Sequence, residues 1–427
     1  MSTQVHATVD ESTVREISES LDEPEWLLQQ RLEALSALEE LEMPDVIRTP
    51  GRDWTDLAAL DFESLVDPLN AAERKDQVGP EEAEVLSFAE ALSERPELVE
   101  ERFGSVVDPQ RDYLTALSTA LFSTGTVVYV PERVNAEDVT VRTEMHSRSL
   151  FNYTLVVTET STSVTVLERQ STGSEAPRAS GEADEGRYYS GIVEVVAGEN
   201  SHVQYGALQD LSEETYNYQV KRGAAPDNAT VSFVDGNLGS RLTKSSVETE
   251  LVGQGSEARI VGAFFGQHDQ HFDIASRVWH RTEHTTADLV TRGVLDDTAR
   301  SVYEGVQDVG RDAWDTSSYQ RENTLMLSEE SEADASPKLI INNHDTEASH
   351  SATVGQIDEE ELFYMLARGV GQRRARNMLV EGFFVPVLDE VEVEELREDL
   401  QSGIAARLRE DTAEAKAEAA AETAAGD

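Results

Sequence analysis

From Gly125 to about Asn343 the chain is a long succession of short runs rich in Val, Thr, Phe, Tyr and Ile, each stopped by Gly, Asp, Asn or Ser. VTVRTEM, YTLVVTE, SVTVLER, GIVEVVAG, ATVSFVDG, ARIVGAFFG and ADLVTRGVL are examples. β-Branched and aromatic side chains suit a pleated, half-buried surface, and the intervening turn residues end each strand, so the stretch reads as many short strands. A sandwich and a solenoid both satisfy that pattern. Turn-like acidic–Ala pieces recur at Glu257, Asp297, Asp312 and Glu332, which favours an irregular β-helix of stacked coils.

The flanks have a different texture. Trp26, Leu27, Leu28, Arg31, Leu32, Leu35, Leu38 and Leu41 recur at three- and four-residue intervals, and Pro24 stands in the first turn, where a missing N–H is harmless. Met43-Pro44 ends that helix, and further helical pieces are expected around Pro80 to Leu92 and Gln110 to Phe122. The expected organisation is a helical region over 1–122, a β-helix core over 123–345 and a C-terminal helical region over 346–427 ending in an acidic Ala/Glu tail. Thr172 to Arg187 reads as a long polar loop on one coil.

Composition removes several chemistries. The 427 residues can bury large cores but include no cysteine, so disulfides, thiolate zinc sites, cysteine nucleophiles and self-contained Cys-ligated clusters are excluded. Acidic residues number 84 against 35 basic ones, 30 of them Arg, for a formal charge of −49. No basic stripe exists to neutralise phosphates, which argues against nucleic acid. The N-terminal text has no cationic apolar signal and no stretch approaches 18 apolar residues, so a soluble cytoplasmic protein without a membrane role is expected. There is no G-x-x-x-x-G-K-[ST], hence no ATP site of this kind, and no G-x-S-x-G.

The stretch Pro337 to Gly369 concentrates the functional signals. Leu339, Ile340 and Ile341 read as a short buried strand, followed by turn chemistry at Asn342, Asn343 and Asp345. Asp358 then caps a helix with Glu361 at capping-box spacing, Leu362, Phe363 and Leu366 form its apolar stripe, and Gly369 closes it. His350 therefore lies at the seam between a β body and a helical end. Six of nine histidines fall between His268 and His350, a local enrichment in good iron or zinc ligands. His280-Arg-Thr-Glu283-His284 matches H-x-x-E-H, but that chemistry needs a helix and the neighbours are β-rich. Arg368, Arg373, Arg374 and Arg376 are the densest basic cluster of the chain, set beside Phe363, Leu379 and Phe383. They suit either pairing with Glu359 to Glu361 or an arginine-rimmed docking surface.

SEADASPKLIINNHDTEASHSATVGQIDEEELFYMLARGV resembles the C-terminal signature of the SufB/SufD family of iron–sulfur cluster assembly proteins. QHFDIASRVWHRTEHTTADLVTRGVLDDTARSVYEG resembles that family's β core, and EPEWLLQQRLEAL its N-terminal region. SHSATVGQ is nearer the SufD pattern SHGATVG than the SufB pattern HEATTSK. The resemblance implies a right-handed parallel β-helix flanked by helical ends, serving as a non-catalytic scaffold. It further implies a heterodimer with a SufB-like subunit through the β-helices and a SufC-like ABC ATPase on the C-terminal helices, toward Phe363, Arg368, Arg373, Arg374 and Arg376. His350 aligns with the family histidine and would offer its imidazole to the iron of a nascent cluster shared with the partner, which supplies the thiolate. Departures fall at His344, Ala348 and Ser351, where the SufD pattern has Asp, Cys and Gly; His344 and Asp345 are auxiliary candidates. Two readings compete: a β-helix polysaccharide-active enzyme, for which the carboxylates are too numerous to single out a pair, and an interaction subunit that never touches iron.

A charge of −49 also suggests adaptation to high salt. Dilution from molar salt to about 0.1 M lengthens the Debye screening from roughly 3 to 10 Å, and self-repulsion should then destabilise the compact state. Circular dichroism and melting temperature should fall together across that range; unchanged values would refute the high-salt reading.

Overall fold

The structure, a computed structural model, describes residues 9–46, 55–177 and 186–425, the final helix from residue 410 onward by its backbone alone. The first helices are α1 (Glu11–Ser20), α2 (Glu25–Ala37) and the single turn α3 (Phe62–Leu65). Next come β1 (Glu73–Val78), β2 (Glu84–Ser87), α4 (Phe88–Glu94), α5 (Pro96–Arg102) and α6 (Tyr113–Leu121). The core consists of β3 (Thr124–Val130), β4 (Asn135–Met145), β5 (Ser149–Thr158), β6 (Ser163–Thr172), β7 (Arg187–Val196), β8 (His202–Asp210), β9 (Thr215–Ala225) and β10 (Thr230–Asn237). It continues through β11 (Leu242–Leu251), β12 (Glu257–Gly266), β13 (His271–His280), β14 (Thr286–Leu295), β15 (Arg300–Val309), β16 (Thr316–Met326), β17 (Glu332–Ile341) and β18 (Thr346–Gln356). Helices α7 (Glu359–Ala367), α8 (Gln372–Leu388) and α9 (Glu394–Ala425) close the described chain.

Consecutive core strands alternate between two nine-stranded sheets, the even strands from β4 to β18 in one and the odd strands from β3 to β17 in the other. Each strand pairs in parallel with the strand two further on, which makes a β-solenoid of about 8 turns. The step is set by the hydrogen-bond register: Glu257 pairs with Thr286 and His271 with Arg300, each 29 residues on. The acidic–Ala pieces sit where that register places turns and strand starts, as at Asp297, in the left-handed region at φ 48°, and Glu332, the first residue of β17.

In-register parallel strands keep equivalent side chains on one face, about 4.8 Å apart along the stack. One interior column therefore runs Val139, Val166, Tyr205, Phe233, Ile260, Leu289. All six are buried in a single apolar core. The N-terminal end is closed by α1, α2, α4, α5 and α6, whose core includes Phe88, Phe103, Phe122 and Tyr153 in mutual ring contact. Within it Arg31 is fully buried, bonds Glu23 at 2.6 Å and the Ala120 carbonyl at 3.0 Å, and lies 3.8 Å above the Phe122 ring. From the C-terminal region α9 returns over the earlier coils, laying Leu396, Leu400, Ile404 and Leu408 along the outer face of the even sheet against Leu208 and Leu238. Arg142 and Arg169 hold Glu395 there at 2.7 and 2.9 Å.

Four expectations need correction. Pro80 to Leu92 is not all helix: Glu84–Ser87 is strand β2, and α4 starts only at Phe88, behind a capping box formed by Ser87 and Glu90. Glu73–Val78, unrecognised in sequence, is a strand antiparallel to β4. The β core extends past 345, because Thr346–Gln356 forms the last rung on β16. Leu339, Ile340 and Ile341 do form a strand, but Ile340 and Ile341 are 46% and 42% exposed because no coil follows β17. The Thr172–Arg187 loop falls partly outside the described residues, and the Ala/Glu tail is helical to Ala425.

The buried Arg31–Glu23 pair gives a stability test. Arg31→Met leaves Glu23 buried without its cation and should cost about 3–5 kcal/mol, whereas Arg31→Met with Glu23→Leu should recover most of that loss. Urea denaturation at constant high salt measures both; an equal loss in single and double variants would refute the pairing as the cause.

Candidate functional site

His350 lies in the middle of β18, not at the junction with α7, and six further strand residues separate it from the helix that begins at Glu359. Its register partner is Gln320, whose own partner is Leu289. His350 therefore stands at the top of the interior column described above, on the inward phase of the last rung, yet is exposed because nothing stacks on it. The column changes character as it reaches the mouth, from Ile260 and Leu289 to Gln320 and then His350.

The floor beneath the last rung is polar and buried. His280 bonds Thr285 at 2.8 Å and Ser318 at 3.3 Å, and the Ser318 hydroxyl donates to Gln307. Glu322 accepts from Thr324 at 2.5 Å. Both amide atoms of Gln320, Nε2 of Gln307 and Oε2 of Glu322 are buried with no partner among the described residues. Burial pushes His280 down to about 4 and the Glu322 carboxyl up to about 7, the latter only partly opposed by the Thr324 hydrogen bond. Gln307, Gln320 and Glu322 gave no signal in sequence; only the register shows that they occupy inward positions on β15 and β16, the coil directly below the mouth.

The remaining site candidates separate. His344 and Asp345 are exposed in the turn before β18, where the Asn343 side chain accepts from the Asp345 N–H at 2.7 Å. His344 lies in that turn, and the extended run from Thr346 to His350, roughly 13 Å long, separates the turn from His350. The histidine enrichment has structural causes. His268 and His284 adopt left-handed turn conformations and contact Glu213 and Asp315, while His271 is buried against Thr55 and His280 within the core. The H-x-x-E-H residues span a strand end and a turn, not a helix. Among the described residues no group of three or more His, Cys, Asp or Glu side chains gathers as a metal site, so His350 brings a single donor.

Asp358 caps α7 as expected, accepting from the N–H groups of Glu360 and Glu361 at 2.7 and 3.1 Å, and Gly369 closes it at φ 84°. The expected apolar stripe finds nothing to cover: α7 buries no residue, and Phe363 is 71% exposed. Arg368 stacks 4.7 Å from the Tyr364 ring, Arg376 donates to the Leu327 carbonyl at 3.1 Å, and Arg373 and Arg374 are exposed. Among the described residues no ion pair joins these arginines to Glu359, Glu360 or Glu361, and Arg373 and Arg374 stand exposed on the helix that follows the uncovered α7. No helix of the described residues is long and apolar enough to cross a membrane.

A two-sheet solenoid, closed by helices at one end and open over a polar floor at the other, is the class of molecule that the fold and site define. The core domain of SUF system iron–sulfur cluster assembly proteins, SufBD, matches residues 140–383, and the SufBD N-terminal region matches 61–141. The core match covers more than half of the chain, and the protein belongs to the SufB/SufD family of iron–sulfur cluster assembly proteins. An iron–sulfur cluster assembly SufBD family protein of Staphylococcus saprophyticus is 28% identical over 433 residues, covering 90% of each chain. Its namesake in Staphylococcus aureus is 28% identical over 429 residues with the same coverage.

The polar floor has a pH signature. A carboxyl whose folded-state pKa lies above its unfolded value contributes stability that is intact below about 4.5 and lost as pH rises through about 7. Glu322→Gln escapes that loss, so its stability relative to wild type should improve by about 2 kcal/mol between pH 5.5 and pH 8. Urea melts at one high salt concentration read this difference; a gap independent of pH would contradict the shifted carboxyl.

Proposed function

We propose that this chain is a SufD-like, non-catalytic scaffold subunit of an iron–sulfur cluster assembly complex, acting in the cytoplasm. It pairs with a SufB-like subunit through the open end of the solenoid, and His350 presents an imidazole there to the iron of the nascent cluster. The carrying observation is the position of His350, exposed on the inward phase of the uncovered rung. Three further features support the reading. The chain has no cysteine, so a thiolate must come from another subunit; exposed Ile340, Ile341 and Val354 on the terminal strands leave apolar surface for a partner's rung; and His350 lies within the segment SHSATVGQ that resembles the SufD-type signature. Imidazole and thiolate ligate iron together in Rieske centres, so the donor set is chemically sound. The neutral ring is the ligand form of an imidazole.

The unburied face of α7 with Phe363 and Tyr364, and the exposed Arg373 and Arg374 beside it, support docking of a SufC-like ATPase. An apolar centre with an arginine rim is the composition of many interfaces.

The test is His350→Ala in the complex with the SufB-like partner, purified at high salt. Iron and acid-labile sulfide should fall severalfold while melting temperature and heterodimer yield stay near wild type, and His344→Ala should load normally. Normal loading in His350→Ala would leave a scaffold that shapes its partner without touching iron.

A further inference from the structure

A buried amide with neither its oxygen nor its nitrogen satisfied is destabilising, and a core position can be filled by Leu at no such penalty. Gln320 is such an amide. It is buried, neither Oε1 nor Nε2 has a partner among the described residues, and it replaces the apolar residues that fill its column in the six coils below. The structure also makes room for it: a Cβ at Gly305 would stand 1.7 Å from Gln320 Nε2, so Gly305 on β15 keeps the space that the amide occupies. Its upper neighbour in register is His350.

We propose that Gln320 is the positioning residue of the His350 site. When a partner covers the mouth, the free Gln320 carbonyl accepts the N–H of the His350 imidazole, fixing its tautomer and turning the other ring nitrogen, unprotonated, toward the substrate iron. A metal-binding histidine commonly donates its second ring N–H to a carbonyl or carboxylate, which sets ring orientation and raises donor strength. In the uncovered subunit the imidazole faces solvent and makes no such bond, so the amide is held ready but unsatisfied. Gln307 and Glu322 are also polar and incompletely bonded on the same coil, but neither is the register partner of His350. The inference rests on the reading of His350 as an iron ligand, and its test separates the two.

Gln320→Leu, Gln320→Glu and His350→Ala are compared with wild type in two preparations. In the isolated full-length chain, Gln320→Leu should melt several degrees higher, because an unsatisfied amide is removed. In the complex with the SufB-like partner, the same variant should lose iron and sulfide at least fivefold, approaching His350→Ala. Gln320→Glu retains an acceptor oxygen and should restore at least half of the wild-type content. A merely structural glutamine would link loading to stability; here one rises as the other falls. If His350→Ala is defective while Gln320→Leu loads like wild type, the positioning role is overturned and the ligand reading stands. If His350→Ala itself loads normally, the ligand reading fails first. Should Gln320→Leu not fold, Gln320→Met, closer in shape, decides by the same criteria.

Discussion

The in-register parallel ladder is the constraint on which the rest of this molecule depends. Because each strand pairs with the strand one coil on, a residue's neighbours in space are fixed about 29 positions away, and chemistry is organised in columns rather than in segments. One column carries the apolar interior from Val139 to Leu289; the column two positions along passes through Glu168, Asp235, Thr291 and Glu322, and in it Glu168 accepts from Asn152 and Asp235 from Ser245, both on the odd sheet. Buried charge is tolerated where the columns bring partners together, as where Lys221 meets Asp235 at 2.9 Å and Lys244 meets Asp273 at 2.6 Å. Toward the last coils the partners run out, and the interior ends in unpaired amides and a carboxyl.

This arrangement explains why the two ends of the chain differ in chemistry despite similar helical content. The N-terminal helices bury aromatic rings and the Arg31–Glu23 pair against the first coils, and Glu194, in the odd sheet, accepts from the backbone N–H groups of Gly104, Val106 and Val107. The C-terminal helices instead run along the outside, with α8 and α9 packed on the even sheet and α7 left bare. The end bearing His350 is thus the one that the chain itself does not cover.

The strand texture, the N-terminal helix, the cap at Asp358, the turn at Asn343 and the Gly369 closure were all legible in sequence, since each depends on residues within a few positions of one another. The repeat was not. Val139, Val166, Tyr205, Phe233, Ile260, Leu289, Gln320 and His350 occupy equivalent places yet share no residue type across the whole series, so the period exists in the hydrogen bonds and leaves little trace in the letters. β1, Glu-Arg-Lys-Asp-Gln-Val, has no strand propensity to read; its conformation comes from pairing with β4. Of the site, His350 was visible through its motif, whereas Gln320 and Glu322 became meaningful only beneath it. The histidine cluster misled because turns and buried hydrogen bonds also recruit imidazoles.

The strands that begin the two sheets have a consequence for assembly. β1 and β2 run antiparallel to the strands they join; β1 is short and charged and β2 only four residues long, features that discourage further pairing at an edge. The opposite end stops on two full-length strands with no such protection. A solenoid blunted at one terminus and open at the other has a direction: it can be extended by one neighbour, mouth to mouth, and the pair so formed presents only blunted termini. A pair built that way would have no open edge left, and so no route to a filament.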